Sequence, residues 1–223
     1  MIGKRKKLEK WVAHELTIGQ QNLRLEVCFS HLKRIETDPF LNRIVTCDEK
    51  WVCYDNTERR GVWLNSDEPP IHMPKPALHQ KKLMIIVWWS MSGLIHFNYL
   101  KTSQTMNAER YCAELMQMHE NLIKKQPSLV NRKVPILLQD NARPHVCKMT
   151  LEKIKELGYE TLVHPQYSPD LAQTDYHLFK HMAAFLSNKK FEKDDQLKKE
   201  LDEFFNSNSQ EFYATGIQKL VER

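Results

Sequence analysis

The chain has 223 residues, of which 41% are hydrophobic and 27% charged, so it can bury a sizeable core and is not a disordered polymer. The formal net charge is +5, and five of the first ten residues are Lys or Arg, which suits either a phosphate backbone or a solvated tail. Five cysteines without a CxxC spacing indicate neither a disulfide framework nor a zinc ribbon, and a reducing compartment fits best. No apolar run approaches the ~20 residues that span a bilayer, and no secretory signal is predicted, so we expect a cytosolic or nuclear protein without a membrane segment.

The first half of the chain predicts one helix followed by strands. Residues 17–36 have a helical spacing of apolar residues, and the alternation around Asp48 predicts a strand. Three apolar residues are predicted to share one side of the helix: Leu23, Val27 and Leu32. Residues 54–81 are a long polar stretch with four of the ten prolines, and loops of that length in compact domains are functional or disordered. Two apolar runs on either side of residues 91–93 then predict a β-hairpin.

The second half alternates helices with short strands. Apolar residues recur at helical spacing from Asn107 until Pro127 closes the segment. The elements predicted after it are a buried strand at 134–138, a helix at 146–157 with Gly158 at its end, a short strand at 159–165, a helix at 175–186 and two closing helices. A meander of strands followed by βα alternation predicts a mixed sheet covered by helices. That order is compatible with a ribonuclease-H-like core but does not by itself single one out.

Three aspartates are placed where the predicted fold can bring them together. Asp48 lies within the first strand, Asp140 follows the strand at 134–138, and Asp175 begins a helix, whose dipole favours a negative charge there. Carboxylates that lie so close together raise one another's pKa. Divalent Mg²⁺ or Mn²⁺, which prefer oxygen ligands, would offset the repulsion between their charges. Two such ions can activate the attacking oxygen and stabilise the leaving one in phosphodiester cleavage.

A structural explanation of the same residues stays open. Asp48 could be a surface residue of a strand, Asp140 an Asx-turn residue and Asp175 a charge at a helix start, and spacing alone favours this interpretation. Glu49 and Asp170 are rival carboxylates, although Asp170, which follows a proline, is more typical of a turn.

Three sequence blocks resemble those of a known family: VTCDEKWV around Asp48, DNARPH from Asp140, and YSPDLAQTDYHLF around Asp175. In that order they resemble the catalytic region of a mariner-family transposase of the Tc1/mariner superfamily. Asp140 and Asp175 are separated by 34 residues, the spacing by which mariner elements are named. WVAHEL at Trp11–Leu16 resembles the family's linker motif, YATGIQKL resembles its C-terminal region, and the match covers nearly the whole chain. The resemblance shifts the balance to the metal-site interpretation.

The resemblance implies an α/β fold, the ribonuclease-H-like mixed sheet flanked by helices of DDE/D transposases. Asp48, Asp140 and Asp175 would be its catalytic, metal-binding triad, holding Mg²⁺, or Mn²⁺ as a substitute, with two ions expected. The resemblance also implies cut-and-paste transposition, in which water hydrolyses the phosphodiester at each transposon end and the freed 3′-OH attacks a TA dinucleotide in target DNA. The implied partner is therefore double-stranded DNA, and the implied location is the nucleus.

The family's organisation also divides this chain. Residues 1–16 would be a basic linker with the WVAHEL motif, and residues 17–223 the catalytic domain. Within that domain, residues 54–81 correspond to the clamp loop, which reaches across to the other subunit of a homodimer. The match begins in the linker, so the family's paired helix-turn-helix modules, which recognise transposon ends, are not matched by this sequence.

Four residues are predicted to contact DNA: Lys10, Trp11, Arg143 and His145. Trp11 lies in a basic, polar stretch where an indole could stack on a base, but it could equally be buried under the first helix. Arg143 and His145 follow Asp140 at a turn that would face DNA, although an Arg-Pro-His sequence can also begin a helix and simply pack.

Three departures from the family pattern keep a second function open. The chain has Ala13, Gln139 and Gln173 where members usually have Pro, His and Pro. Such changes suit a decayed or domesticated transposase-derived domain that binds DNA without cutting it, while the intact triad argues for cleavage. A ribonuclease H acting on RNA–DNA hybrids is a weaker alternative. A zinc site at His177 and His181 is disfavoured because the catalytic Glu of an HExxH motif is absent.

Overall fold

The structure is a computed structural model in which residues 15–58, 63–69, 72, 74, 77–100 and 104–223 are described. A five-stranded sheet has the order β3-β2-β1-β4-β5. Its strands are β1 (Ile44–Cys53), β2 (Lys82–Ser90), β3 (Gly93–Leu100), β4 (Ile136–Leu138) and β5 (Glu160–Thr161). The helices are α1 (Ile18–Thr37), α2 (Ala108–Lys125), α3 (Pro127–Arg132), α4 (Arg143–Val146), α5 (Lys148–Glu156), α6 (Lys180–Leu186), α7 (Asp194–Ser207) and α8 (Gln210–Gln218).

The central strand, β1, has one neighbour of each orientation. It pairs antiparallel with β2, which continues into β3 as the predicted hairpin. On its other side it pairs parallel with β4, which in turn pairs parallel with β5. The two parallel strands β4 and β5 are joined by a crossover through α4 and α5, as parallel pairing requires. The mixed sheet flanked by helices confirms the predicted fold class.

Alternation along β1 divides the core into two clusters. Ile44 and Val52 belong to a cluster formed with α6, α7 and α8, on what we call the α6 face. Val45 and Cys47 belong to a cluster formed with α2 and α5, on what we call the α2 face. Successive residues of a strand point to opposite faces, so Asp48 belongs to the α6 face and the next residue to the α2 face. β2 is buried on both faces, which explains its unbroken apolar run.

Helix α2 follows the predicted pattern. Asn107 caps its N-terminus by accepting a hydrogen bond from the backbone N–H of Arg110 at 3.0 Å. All four residues predicted at helical spacing are buried: Tyr111, Leu115, Met118 and Leu122. Their burial places α2 across the sheet face that carries Cys47.

Helix α1 forms as predicted, but the described residues cover its apolar side only in part. Thr17 and Gln20 form a capping box at its start, which fixes where the helix begins. Of the predicted apolar side, Val27 is buried, whereas Leu23 and Leu32 are 46% and 45% exposed. Within the described residues, α1 therefore buries a narrower strip of its surface than its sequence predicts.

Two predicted helices have irregular starts. The helix predicted at 146–157 is divided at Cys147 into α4 and α5, and it ends as expected at Gly158, whose φ of 75° favours glycine. The helix predicted from Asp175 begins with a π-helical turn over Thr174–Phe179, which then continues as α6. π-Helical turns inside α-helices often mark functional sites. Among the described helices, none is both long and apolar enough to cross a membrane.

Candidate active site

The parallel pairing of β1 with β4 places two of the predicted aspartates at the same height along neighbouring strands. Thr46 is paired with Leu138, so Asp48 and Asp140 each lie two residues further along the chain. Leu138 packs in the α6-face cluster, and alternation puts Asp48 on the same face. Asp140 lies just beyond β4, close enough for its charge to act on Asp48.

The third aspartate approaches from the π-helical turn. Asp175 lies in the first turn of that segment, which is tied to the sheet by a hydrogen bond from the Trp89 indole N–H to Thr174 Oγ1 at 3.0 Å. Asp140 and Asp175 line the same cavity of about 400 Å³. Its other lining residues include Asn141, His164, Gln166 and Ser168. The structure thus brings all three predicted aspartates to one region.

Neighbouring carboxylates disfavour the ionisation of Asp48 and Asp175. The pKa of Asp48 is raised well above its ordinary value, first by burial and then by the charges of Asp175, Glu49 and Asp140. Burial also raises the pKa of Asp175, the charge of Lys50 opposes that rise, and Asp140 adds to it. The charged forms of Asp48 and Asp175 are therefore unfavourable without a metal, and a cation among these oxygens would stabilise them.

Asp48 and Asp140 each have one carboxylate oxygen occupied. Asp48 Oδ1 accepts a hydrogen bond from the backbone N–H of Glu49 at 2.7 Å. Asp140 Oδ1 accepts from the N–H of Ala142 at 2.9 Å and from His145 Nδ1 at 2.6 Å. The Ala142 contact is the Asx turn that the sequence offered as an alternative. It still leaves Oδ2 of Asp140 without a hydrogen bond in the described chain, so the turn and a ligand role are compatible.

His145 lies inside the protein and both of its ring nitrogens are bonded. Its side chain is 1% exposed, Nδ1 donates to Asp140, and Nε2 donates to Glu49 Oε1 at 3.2 Å. Burial alone would lower the pKa of His145, but its bonds to the two carboxylates and their charges outweigh burial and raise the pKa to about 10. The predicted contact between His145 and DNA is therefore corrected: the ring has no nitrogen left for DNA, and the packing alternative holds.

The same contact acts on Asp140 in return. Burial would raise the pKa of Asp140, but the hydrogen bond and positive charge of His145 hold it below its ordinary value. Of the predicted triad, Asp140 is thus the carboxylate kept ionised by a cationic neighbour, while the pKa values of Asp48 and Asp175 are raised.

Tyr111 and Gln139 complete a network that the sequence did not reveal. The ring centroids of Tyr111 and His145 are 4.2 Å apart, and the Tyr111 hydroxyl donates to Gln139 Oε1. Gln139 Nε2 donates in turn to the backbone carbonyl of His145 at 3.1 Å. Helical spacing predicts Tyr111 only as an apolar core residue. Strand alternation could have predicted the position of Gln139. Because Leu138 belongs to the α6 face, the next residue, Gln139, is expected on the α2 face.

The other residues predicted to contact DNA, and the rival carboxylate Asp170, lie in different environments. Arg143 is exposed at the start of α4, and Lys10 and Trp11 lie outside the described residues. Asp170, the rival carboxylate, forms a two-pronged ion pair with Arg24 at 2.6 Å, so it is engaged in holding α1 to the 3₁₀ turn after β5. That pairing makes Asp170 a structural residue, as its turn-like sequence suggests.

The donor chemistry fits a hard divalent cation. Among the residues that the structure describes, no three His, Cys, Asp or Glu side chains already stand close enough together to hold a metal ion. Bare carboxylates repel one another, so a metal-free triad is expected to stand apart. It offers carboxylate oxygens, the ligands that Mg²⁺ and Mn²⁺ prefer. His177 and His181 instead contact backbone carbonyl oxygens, at 2.8 and 2.7 Å, and share no ligand position.

Comparisons with known proteins find relatives over the whole chain. Residues 53–132 match the family model described as Transposase (partial DDE domain). The chain is 53% identical over 222 residues to the Homo sapiens protein named histone-lysine N-methyltransferase SETMAR, covering 100% of this chain and 32% of that protein. It is 38% identical over 223 residues to the Mariner Mos1 transposase of Drosophila mauritiana, covering 100% of this chain and 65% of that one. The chain thus spans less than two thirds of the length of either relative.

Solved structures of the Mos1 transposase have the same fold. Its paired end complex with Mn has a TM-score of 0.93 at 39% identity, covering 100% of this chain and 65% of that chain. Its catalytic domain has a TM-score of 0.80 at 37% identity, covering 95% of this chain and 93% of that chain. Sequence identity of 37–39% over at least 95% of this chain indicates common ancestry as well as a shared fold.

Proposed function

Since the chain belongs to the mariner family of transposases, we propose that residues 17–223 are a catalytic domain that hydrolyses DNA phosphodiester bonds and transfers strands in cut-and-paste transposition. The observation that supports this most directly is the pairing of β1 with β4. It sets Asp48 level with Asp140, beside the π-helical turn that carries Asp175. Asp140 and Asp175 line one cavity, and the charges of both act on Asp48, so three neighbouring carboxylates are available for metal-dependent phosphodiester cleavage.

We propose that Asp48, Asp140 and Asp175 are the catalytic triad and hold two divalent ions, Mg²⁺ or Mn²⁺ in its place. Bound there, such ions would lower the pKa of the attacking water or 3′-hydroxyl and stabilise the leaving oxygen. The protein's part is to present ligand oxygens and to place the phosphate. Lys50, whose charge acts on Asp175, belongs to the same strand as Asp48 and can face a phosphate at this site. A solved Mos1 complex that contains Mn supports the choice of ion.

We propose double-stranded DNA as the substrate, first transposon ends and then a TA dinucleotide in target DNA. Arg143 is exposed and lies three residues after Asp140, so its charge can meet a phosphate next to the cavity. Lys10 and Trp11 would contact DNA from the basic linker, residues 1–16. A Mos1 paired end complex supports DNA as the partner, and that substrate implies a nuclear location.

We propose that the protein acts as a homodimer. Helix α1 exposes three large apolar side chains, at 78%, 69% and 66%: Ile18, Leu25 and Phe29. The loop at 54–81, proposed as the clamp, exposes Trp63 and Leu78 at 101% and 91%. Large exposed apolar surfaces commonly mark protein contacts, and a second copy would offer the same surfaces in return.

A second candidate function is a domesticated domain that binds DNA without cutting it. The observation in its favour is that the chain is 53% identical to SETMAR and 38% identical to the Mos1 transposase. The more similar of these two relatives is named a histone-lysine methyltransferase rather than a transposase. Gln139 and Gln173, both departures from the family pattern, also lie next to the proposed triad.

Cleavage of labelled DNA by the purified protein in Mn²⁺ or Mg²⁺ separates these functions. The substrates are duplex, nicked, flapped and single-stranded DNA together with an RNA–DNA hybrid. Asp140→Asn keeps the shape of the side chain and removes its charge, and Asp195→Asn changes an exposed carboxylate of α7 as a matched control. Metal-dependent cutting by wild type and Asp195→Asn, but not by Asp140→Asn, supports the transposase. Binding without cutting by folded protein supports the domesticated domain, and preferential cutting of the hybrid supports a ribonuclease H.

A further inference from the structure

We propose that Glu49 is a positioning residue for the carboxylate of Asp140 and acts on it through His145. Glu49 holds His145, His145 holds Oδ1 of Asp140, and Oδ2 is thereby presented to the ion. This inference rests on the proposed function, since it concerns how that metal site is prepared.

Asp140 is the member of the triad whose own backbone fixes it least. Asp48 lies inside β1, and Asp175 lies in the π-helical turn. Asp140 instead lies beyond the end of β4 at Leu138, and its side chain is 45% exposed. A carboxylate on a turn can adopt several rotamers unless other groups restrain it. Its restraint therefore has to come from hydrogen bonds to neighbouring groups.

His145 can act as a firm restraint because it is itself held on several sides. Its Nε2 is bonded to Glu49 at 3.2 Å, its ring lies 4.2 Å from that of Tyr111, and its carbonyl accepts from Gln139. The stacking contact and the carbonyl bond limit where the ring sits. The Glu49 bond limits how the ring is rotated, and that rotation decides whether Nδ1 points at Asp140.

Glu49 is placed to hold His145 rather than to bind metal. It alternates with Asp48 along β1 and so belongs to the α2 face, on the other side of the sheet from Asp48. Its side chain is 13% exposed, and its Oε1 is turned toward His145. A ligand role would require Glu49 to release His145 and reach to the opposite face of the strand.

The α2 face also offers a matched control pair. Glu114 on α2 is bonded to His96 on β3 at 2.9 Å, and the two side chains are 14% and 12% exposed. This carboxylate–histidine pair is buried much like that of Glu49 and His145, but neither member is bonded to a triad residue. Glu114→Ala therefore removes an equivalent contact without touching Asp140.

The experiment measures Mn²⁺ binding by isothermal titration calorimetry and metal-free thermal unfolding for wild type and five variants, one of which, Asp140→Asn, removes the charge of the proposed ligand. Glu49→Ala and Glu49→Met cannot accept the His145 bond, and we expect them to bind Mn²⁺ about 10–100-fold more weakly, the range seen when a group that orients a metal ligand is lost. Glu49→Gln can accept the same bond and is expected to bind nearly as well as wild type. Glu114→Ala is expected to lose stability but to bind Mn²⁺ as wild type does.

Two results would overturn the inference while the proposed function stands. If Glu49→Gln binds as weakly as Glu49→Ala, the charge of Glu49 itself serves the ion. If the Ala and Met variants bind as wild type does, Glu49 only stabilises the fold. In both cases wild-type binding that Asp140→Asn abolishes keeps the metal site intact. A wild type that binds no Mn²⁺ refutes the proposed function and the inference with it, and the Met variant keeps the test decisive if the Ala variant does not fold.

Discussion

Gln173 is buried in a way that weakens the fold. It is 0% exposed, and within the described chain neither its Oε1 nor its Nε2 has a hydrogen-bond partner. Its backbone has a φ of −59° and a ψ of −36°, values that proline adopts, and Ala172 before it is extended, as proline prefers. Its N–H donates none of the turn and cap hydrogen bonds of the described chain. Gln173→Pro is therefore predicted to stabilise the protein.

Three terms set the size of this gain. Removing a buried amide that has no hydrogen-bond partner increases the free energy of unfolding by about 1–3 kcal/mol. The fixed φ of proline lowers the entropy of the unfolded chain, which adds about 0.4–1 kcal/mol. The space left by the amide works against both, since a void of ~40 Å³ costs about 1 kcal/mol. The expected increase in the free energy of unfolding is about 0.4–3 kcal/mol, which in a chain of this size raises Tm by roughly 1–12 °C.

Urea unfolding followed by circular dichroism, together with a thermal scan, measures the change. Gln173→Met fills the same space without an amide and without the proline constraint, so it reports the burial term alone. If neither variant is more stable than wild type, the amide of Gln173 has a partner in solution and the reasoning is refuted. A gain with Met but a loss with Pro would show that the backbone there cannot accommodate the ring.

Three further predictions concern the site and its partners. The pKa of Asp48 is higher in the folded than in the unfolded chain, so its ionisation favours unfolding as pH rises. Asp48→Asn should therefore raise the Tm of metal-free protein at pH 7.5 while abolishing cutting, and the gain should shrink as pH falls toward about 4, as differential scanning fluorimetry across pH would show. Phe29→Lys, but not Glu26→Lys on the same helix, should shift a dimer toward monomer in light scattering, because only Phe29 adds apolar contact area. Arg143→Gln should weaken DNA binding and reduce the slope of log affinity against log salt by about 1, and an unchanged slope would remove Arg143 from the interface.

The elements that hold the triad could be predicted because their signals are local. The alternation around Asp48 and the apolar run at 134–138 each describe one strand, and the structure contains both. Parallel pairing of these strands then requires Asp48 and Asp140 to lie level, since they are equally far along the chain from the paired residues Thr46 and Leu138. The pairing itself is a long-range choice, and only the family resemblance indicated it.

The surroundings of Asp140 could not be predicted because distant segments create them. His145 follows Asp140 by five residues, and nothing in that short stretch separates a buried ring from one that faces DNA. Its burial arises because Glu49 from β1 and Tyr111 from α2 close around it. The π-helical turn at Asp175 could not be predicted either, since the hydrogen bond that joins it to the sheet comes from Trp89, 85 residues before Thr174.

The two departures nearest the triad are of opposite physical kinds. Gln139 is fully engaged: it accepts from the Tyr111 hydroxyl and donates to the carbonyl of His145, so it belongs to the network that restrains Asp140. Gln173 is buried with neither amide atom bonded in the described chain, and it can only cost stability there. An intact hydrogen-bond network around Asp140 is what a working metal site needs. The buried amide of Gln173 therefore lowers the stability of the fold. The contacts around Asp140 support the proposal that the protein cleaves DNA.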